Sequence, residues 1–100
     1  MENGYNIYWT PNALRELKET IDYLEGKFSE KELNKLALEI EYIVNLILNN
    51  PYLFQKSEFN NIYKVVILRL NTMYYRINGD TIEIISFFSN IQNPQKRKMK

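Results

Sequence analysis

The chain is 100 residues long, with 45% hydrophobic and 25% charged side chains, the balance of one globular domain with a single core rather than of a disordered segment. It has neither cysteine nor histidine, which excludes disulfides, thiolate metal sites and imidazole acid–base chemistry. The net charge of +1 hides an asymmetry: residues 1–50 carry nine acidic and five basic side chains, residues 51–100 three acidic and eight basic. Four of those eight bases occupy the last five positions, so a phosphate or an acidic partner would be met by the second half.

In chain order, YNIYW alternates as a short strand with Tyr5, Ile7 and Trp9 on one face. Thr10 has the hydroxyl of a helix N-cap, and Pro11 suits the next position, where no amide donor is needed. Leu14, Leu17, Ile21, Leu24 and Phe28 then recur every three or four residues, predicting one apolar stripe on a first helix that stops near Gly26. Ser29 and Glu32 form a capping box ahead of a second helix. Its stripe is Leu33, Leu36, Ala37, Ile40, Ile43, Val44 and Ile47, and Asn49-Asn50-Pro51 ends it. The short gap between the helices predicts an antiparallel αα-hairpin.

Residues 51–61 read as a loop, followed by three β-branched and aromatic runs, IYKVVILRL, NTMYYRI and TIEIISFF. Asn78-Gly79 marks a tight turn between the last two. With those two residues at its centre, Tyr75 opposes Ile82 and Met73 opposes Ile84. Met73, Tyr75, Ile77, Ile82 and Ile84 then face the helices, while Tyr74, Arg76, Thr81 and Glu83 face away. The expectation is an α+β fold of order β-α-α-β-β-β, an αα-hairpin on one face of a mostly antiparallel four-stranded sheet. A single domain spans 1–100, with a basic tail over 95–100 that is expected to be disordered.

No run approaches the roughly 18 apolar residues of a bilayer span, and MENGYNIYW lacks the features of a secretory signal. A cytoplasmic address without a membrane partner is therefore expected. Metal-ligand spacings, glycine-rich phosphate loops and nucleophile triads are missing from the sequence, so neither a metal nor a cofactor is expected.

YNIYWTPNALRELKETIDYL and NIYKVVILRLNTMYYRINGDTIEIISFFSNIQNPQK together resemble the RelE/ParE superfamily of type II toxin–antitoxin toxins. The likeness lies in the opening strand, the Thr-Pro helix start, the Tyr-Tyr before the hairpin turn and the Asn-Pro near the end. It implies a bacterial growth inhibitor held inactive by a cognate antitoxin. RelE-like members cleave mRNA on the ribosome with basic side chains; ParE-like members bind DNA gyrase. Related sequences commonly have arginine at the positions of Thr72 and Ile91, and neither residue here supplies a guanidinium. The resemblance therefore points to ParE-like binding of a protein target rather than to an enzyme, with RNA cleavage and an inactive binding module as alternatives.

Candidate residues for contact with a target or nucleic acid are Lys64, Arg69, Tyr74 and Arg76 on the strands, and Lys96, Arg97 and Lys98 in the tail. The plainer reading of Arg76 is a cross-strand surface pair with Glu83. Adjacent Phe87 and Phe88 cover both faces of the last strand, so with Ile91 they are candidates for antitoxin contact. The chain's own tail, or a second copy of the chain as a homodimer, is the other candidate cover.

Overall fold

The computed structural model describes residues 4–27, 29–59 and 61–89. Strand β1 (Asn6–Trp9) leads into helices α1 (Pro11–Lys27) and α2 (Glu30–Asn49), then strands β2 (Tyr63–Ile67), β3 (Asn71–Asn78) and β4 (Thr81–Ser89). The sheet runs β1-β4-β3-β2, with β1 parallel to β4 and the other two pairings antiparallel. This is the expected α+β layer, with one parallel pair where the chain crosses through the two helices before returning beside β1.

The core lies between the helices and one sheet face. Met73, Tyr75, Ile82, Ile84 and Phe87 from the sheet are buried against Ala13, Leu24, Leu36, Ile43 and Ile47 from the helices. The β3–β4 hairpin differs in register from the expectation. Asn78 opposes Thr81 and Ile77 opposes Ile82, so Gly79-Asp80, not Asn78-Gly79, forms the turn. Gly79 takes φ +64°, a left-handed backbone that glycine adopts without a Cβ penalty. The shift is by an even number of positions in the pairing sum, so the inward set survives unchanged.

A bulge then changes the alternation. Tyr75 opposes Ile84 but Tyr74 opposes Ser86, leaving Ile85 as an extra residue in β4. Ile84 and Phe87, three apart, therefore both point into the core, and Phe88 falls on the outer face opposite Thr72.

Helix α1 is anchored to this bulge. The Thr10 backbone N–H and hydroxyl each donate to the Ile84 carbonyl at 3.0 Å, while the same hydroxyl accepts the Ala13 N–H at 3.2 Å as an N-cap. Asn12 Nδ2 donates to the Ile85 carbonyl at 3.0 Å. Glu16 Oε1 accepts from Ser86 Oγ and from the Phe87 N–H, both at 2.8 Å. Turning Asn12 and Glu16 toward β4 rotates the helix away from its expected stripe. Ala13, Leu17, Thr20 and Leu24 face inward, and Leu14 is 51% exposed with Ile21 also at the surface. The helix continues through Gly26 to Lys27, and Phe28 lies outside the described residues.

Helix α2 follows its stripe more closely, with Leu36, Ile43 and Ile47 buried and Ala37 exposed. At its start the Ser29 N–H donates to Glu32 Oε1 at 3.2 Å.

Candidate functional site

Among the described residues no helix covers the outer face of the sheet, and strand alternation decides which side chains reach it. Val66, Thr72 and Phe88 form one row across β2, β3 and β4. Lys64, Tyr74 and Ser86 form the next, and Arg76 lies directly opposite Glu83 in a third, with Tyr8 of β1 beyond it. Val66 and Tyr8 are exposed, and Lys64, Thr72, Tyr74 and Phe88 are half-buried.

Arg76 Nε donates to Glu83 Oε1 at 2.5 Å, and Asn78 Nδ2 donates to the other carboxylate oxygen at 3.3 Å. The Arg76 bond, then that of Asn78, holds the Glu83 carboxyl below the usual carboxylate range. The expected surface pair is thus present, its two residues directly opposed.

Two sequence-based assignments change. Arg69 is not in a strand: β2 ends at Ile67, and Leu68–Leu70 form a turn in which Leu68 and Arg69 take φ +51° and +71°. The side-chain amide of Asn71 closes that turn by donating to the Ile67 carbonyl at 3.1 Å. Arg69 instead borders a groove of about 390 Å³ on the helix side, lined by Leu24, Leu36, Leu68 and Leu70, away from Lys64 and Tyr74. Phe87 is only 1% exposed and is a core residue, so it offers no surface to an antitoxin. Ile91, Lys96, Arg97 and Lys98 lie outside the described residues. Lys64 and Tyr74 are brought together, with Arg76 two positions along β3 on the same face.

Sequence reasoning missed a second concave feature at the β3–β4 turn end of the sheet. It is a cleft of about 790 Å³ whose lining includes Tyr52, Lys56, Tyr63, Arg76 and Asn78. Behind it Tyr63 stacks on Tyr75 with ring centroids 5.3 Å apart, and Tyr52 meets Tyr63 edge-on at 6.1 Å. The Tyr75 hydroxyl donates to the Pro51 carbonyl at 2.8 Å, tying the loop to the sheet. Burial, then the neighbouring Tyr63, pushes the Tyr75 phenol up, so it works as a donor and not as a base. The clue in the sequence was Pro51-Tyr52 with Tyr63 and Tyr75 on inward positions, but only folding stacks them. Among the described residues no acidic cluster could hold a metal ion, and no helix is long and apolar enough to cross a membrane.

The family model described as the ParE toxin of the type II toxin–antitoxin system, parDE, matches residues 7–94. The chain belongs to the ParE toxin family. Its fold is shared by a chain of the chromosomal ParDE toxin–antitoxin system of P. aeruginosa, at 16% identity and a TM-score of 0.72, over 88% of this chain and 98% of that one. The YoeB dimer of Staphylococcus aureus matches at 22% identity and 0.57, over 82% and 92%. The E. coli DinJ–YafQ toxin–antitoxin complex matches at 7% and 0.59, over 90% and 97%. At these identities the structural likeness speaks for the fold alone. Among curated proteins there is no match. ParE membership places the chain in the RelE/ParE superfamily that its sequence resembles.

Proposed function

We propose that this ParE-family chain is the toxin of a type II module, a cytoplasmic growth inhibitor that acts by gripping a protein target, DNA gyrase, and is neutralised by a cognate antitoxin. The observation that carries this reading is the row Val66–Thr72–Phe88 at the end of the outer face away from the β3–β4 turn. RNA-cleaving relatives commonly place an arginine at the position of Thr72. Here that position is a threonine between a valine and a half-buried phenyl ring, a surface built for apolar contact. Cleavage needs cations converging on one phosphate. Arg76 has its Nε taken by Glu83 and lines the cleft at the β3–β4 turn, and Arg69 lies on the opposite side of the sheet, so these cations do not converge with Lys64 on one point of the outer face. Phe88, rather than Phe87, is the aromatic available to a partner there.

The test is a pair of assays on the purified chain. Inhibition of gyrase supercoiling, relieved by the antitoxin and by Phe88→Glu, is the expected result. Codon-linked breaks in translated mRNA with supercoiling untouched would refute it. One observation favours that second reading, an endoribonuclease: Lys64 lies directly opposite Tyr74, a cation beside a phenol on the open face. In that case Lys64→Gln abolishes cleavage. Normal growth on induction without the antitoxin would mark a module that binds but does not intoxicate. A homodimer formed through the outer face is read by light scattering of the chain alone.

A further inference from the structure

The cleft at the β3–β4 turn exists because β3 is longer than its neighbour. Residues Asn71–Tyr75 of β3 are paired by β2, but no β2 residue pairs with Arg76, Ile77 or Asn78. Beside this stretch of β3, Tyr52, Lys56 and Tyr63 help to line a concavity of about 790 Å³, within the range of small-ligand sites. Its lining holds two cations, Lys56 and Arg76, and no carboxylate. Glu83 takes the Nε of Arg76 and the amide of Asn78. The guanidinium is thereby fixed by one edge, and its terminal nitrogens donate to no acceptor among the described residues. A half-exposed guanidinium oriented in this way is set to receive a phosphate on its free edge. Lys56 extends along the same cleft, with Nζ 5.9 Å from the centre of the Tyr63 ring.

The opposite wall is aromatic. Tyr52 is 62% exposed, yet its ring is set edge-on against Tyr63, which stacks on the buried Tyr75. An exposed ring backed by a fixed stack is a platform for a planar ring, because little conformational freedom remains to be lost on binding. A rigid aromatic face and two cations in one concavity match a heterocycle joined to a phosphate.

We propose that this cleft binds a nucleotide, with the base stacked on Tyr52 and the phosphate held by Lys56 and the free edge of Arg76. The site is separate from the Val66–Thr72–Phe88 row and does not depend on the identity of the toxin's target. The same chemistry is offered by a free mononucleotide and by one unit of a single-stranded nucleic acid.

The experiment is titration of the isotopically labelled full chain, followed by amide chemical shifts, with AMP, adenosine, inorganic phosphate and a short single-stranded oligoadenylate. Saturable shifts at Tyr52, Lys56 and Gly79 with a Kd below about 1 mM for AMP are expected, with adenosine and phosphate each at least about tenfold weaker. Tyr52→Ala and Lys56→Gln both lie on a surface loop; each is expected to weaken AMP by about tenfold with the spectrum otherwise intact. Lys18→Gln, which removes an exposed cation on α1, leaves the affinity unchanged. Tighter binding of the oligoadenylate through the same residues assigns the site to a strand, and equal binding to a free nucleotide. Shifts spread over the surface, an equal loss in Lys18→Gln, or no saturation with any of the four ligands overturns the proposal.

Discussion

One oxygen of the Glu16 carboxylate, on the second turn of α1, accepts the backbone N–H of Phe87 and the hydroxyl of Ser86, each at 2.8 Å. β1 ends at Trp9 opposite Ile84, so the edge of β4 beyond it has no strand beside it among the described residues. Glu16 supplies the acceptor that a longer β1 would have supplied. Glu16→Ala leaves that amide without its partner, and a loss of about 1–3 kcal/mol is expected in urea unfolding. Glu16→Gln keeps a carbonyl oxygen in place and loses less. Equal stability of all three proteins would mean that water serves the edge as well as the side chain does.

The bulge at Ile85 makes the two adjacent phenylalanines unequal. Phe87→Ala opens a cavity in the core and costs about 3–5 kcal/mol. Phe88→Ala, on the outer face, costs well under half of that and instead weakens partner binding. Without the bulge the two costs are reversed, so a matched pair of denaturation curves reads the register directly.

Stability should depend on pH through Glu83. Its folded pKa is depressed, so its contribution is fully present above the ordinary carboxylate value and is lost as pH falls through the lowered one. The wild-type advantage over Glu83→Gln is therefore present at pH 7 and shrinks from about pH 4.5 downward. A constant difference across that window would show that Arg76 does not hold the carboxylate in solution.

Gly79 gives a prediction free of packing effects. A Cβ built there meets nothing within 4 Å, so Gly79→Ala tests the backbone alone. At φ +64° the cost is about 1–2 kcal/mol in stability. Gly26 lies within α1, away from any positive φ, and Gly26→Ala is expected to stabilise by about 0.4–1 kcal/mol.

Much of the fold was legible because it rests on local chemistry. Thr10-Pro11, Ser29 with Glu32, and Asn50-Pro51 mark helix ends through caps that need only neighbouring residues. The inward set on β3 and β4 was readable from period-two alternation and survived a shifted turn. The α1 stripe was misread because hydrophobicity favoured Leu14 and Ile21, whereas the bond Asn12 donates to, and those Glu16 accepts from, a strand some 70 positions away set the rotation. Arg69 was misplaced for a related reason: IYKVVILRL is β-prone throughout, and the positive φ of Leu68 and Arg69 has no glycine to announce it.

By itself the sequence determined which segments are helix and strand, their order, and the superfamily resemblance, since caps, periodicity and turn residues act over a few positions. Only the tertiary structure decided which phenylalanine is buried, which cations share a surface, and that Tyr52, Tyr63 and Tyr75 pack together beside a cleft. Those outcomes depend on a single extra residue in β4 and on how far each strand runs past its neighbour, and pairing over long range fixes both.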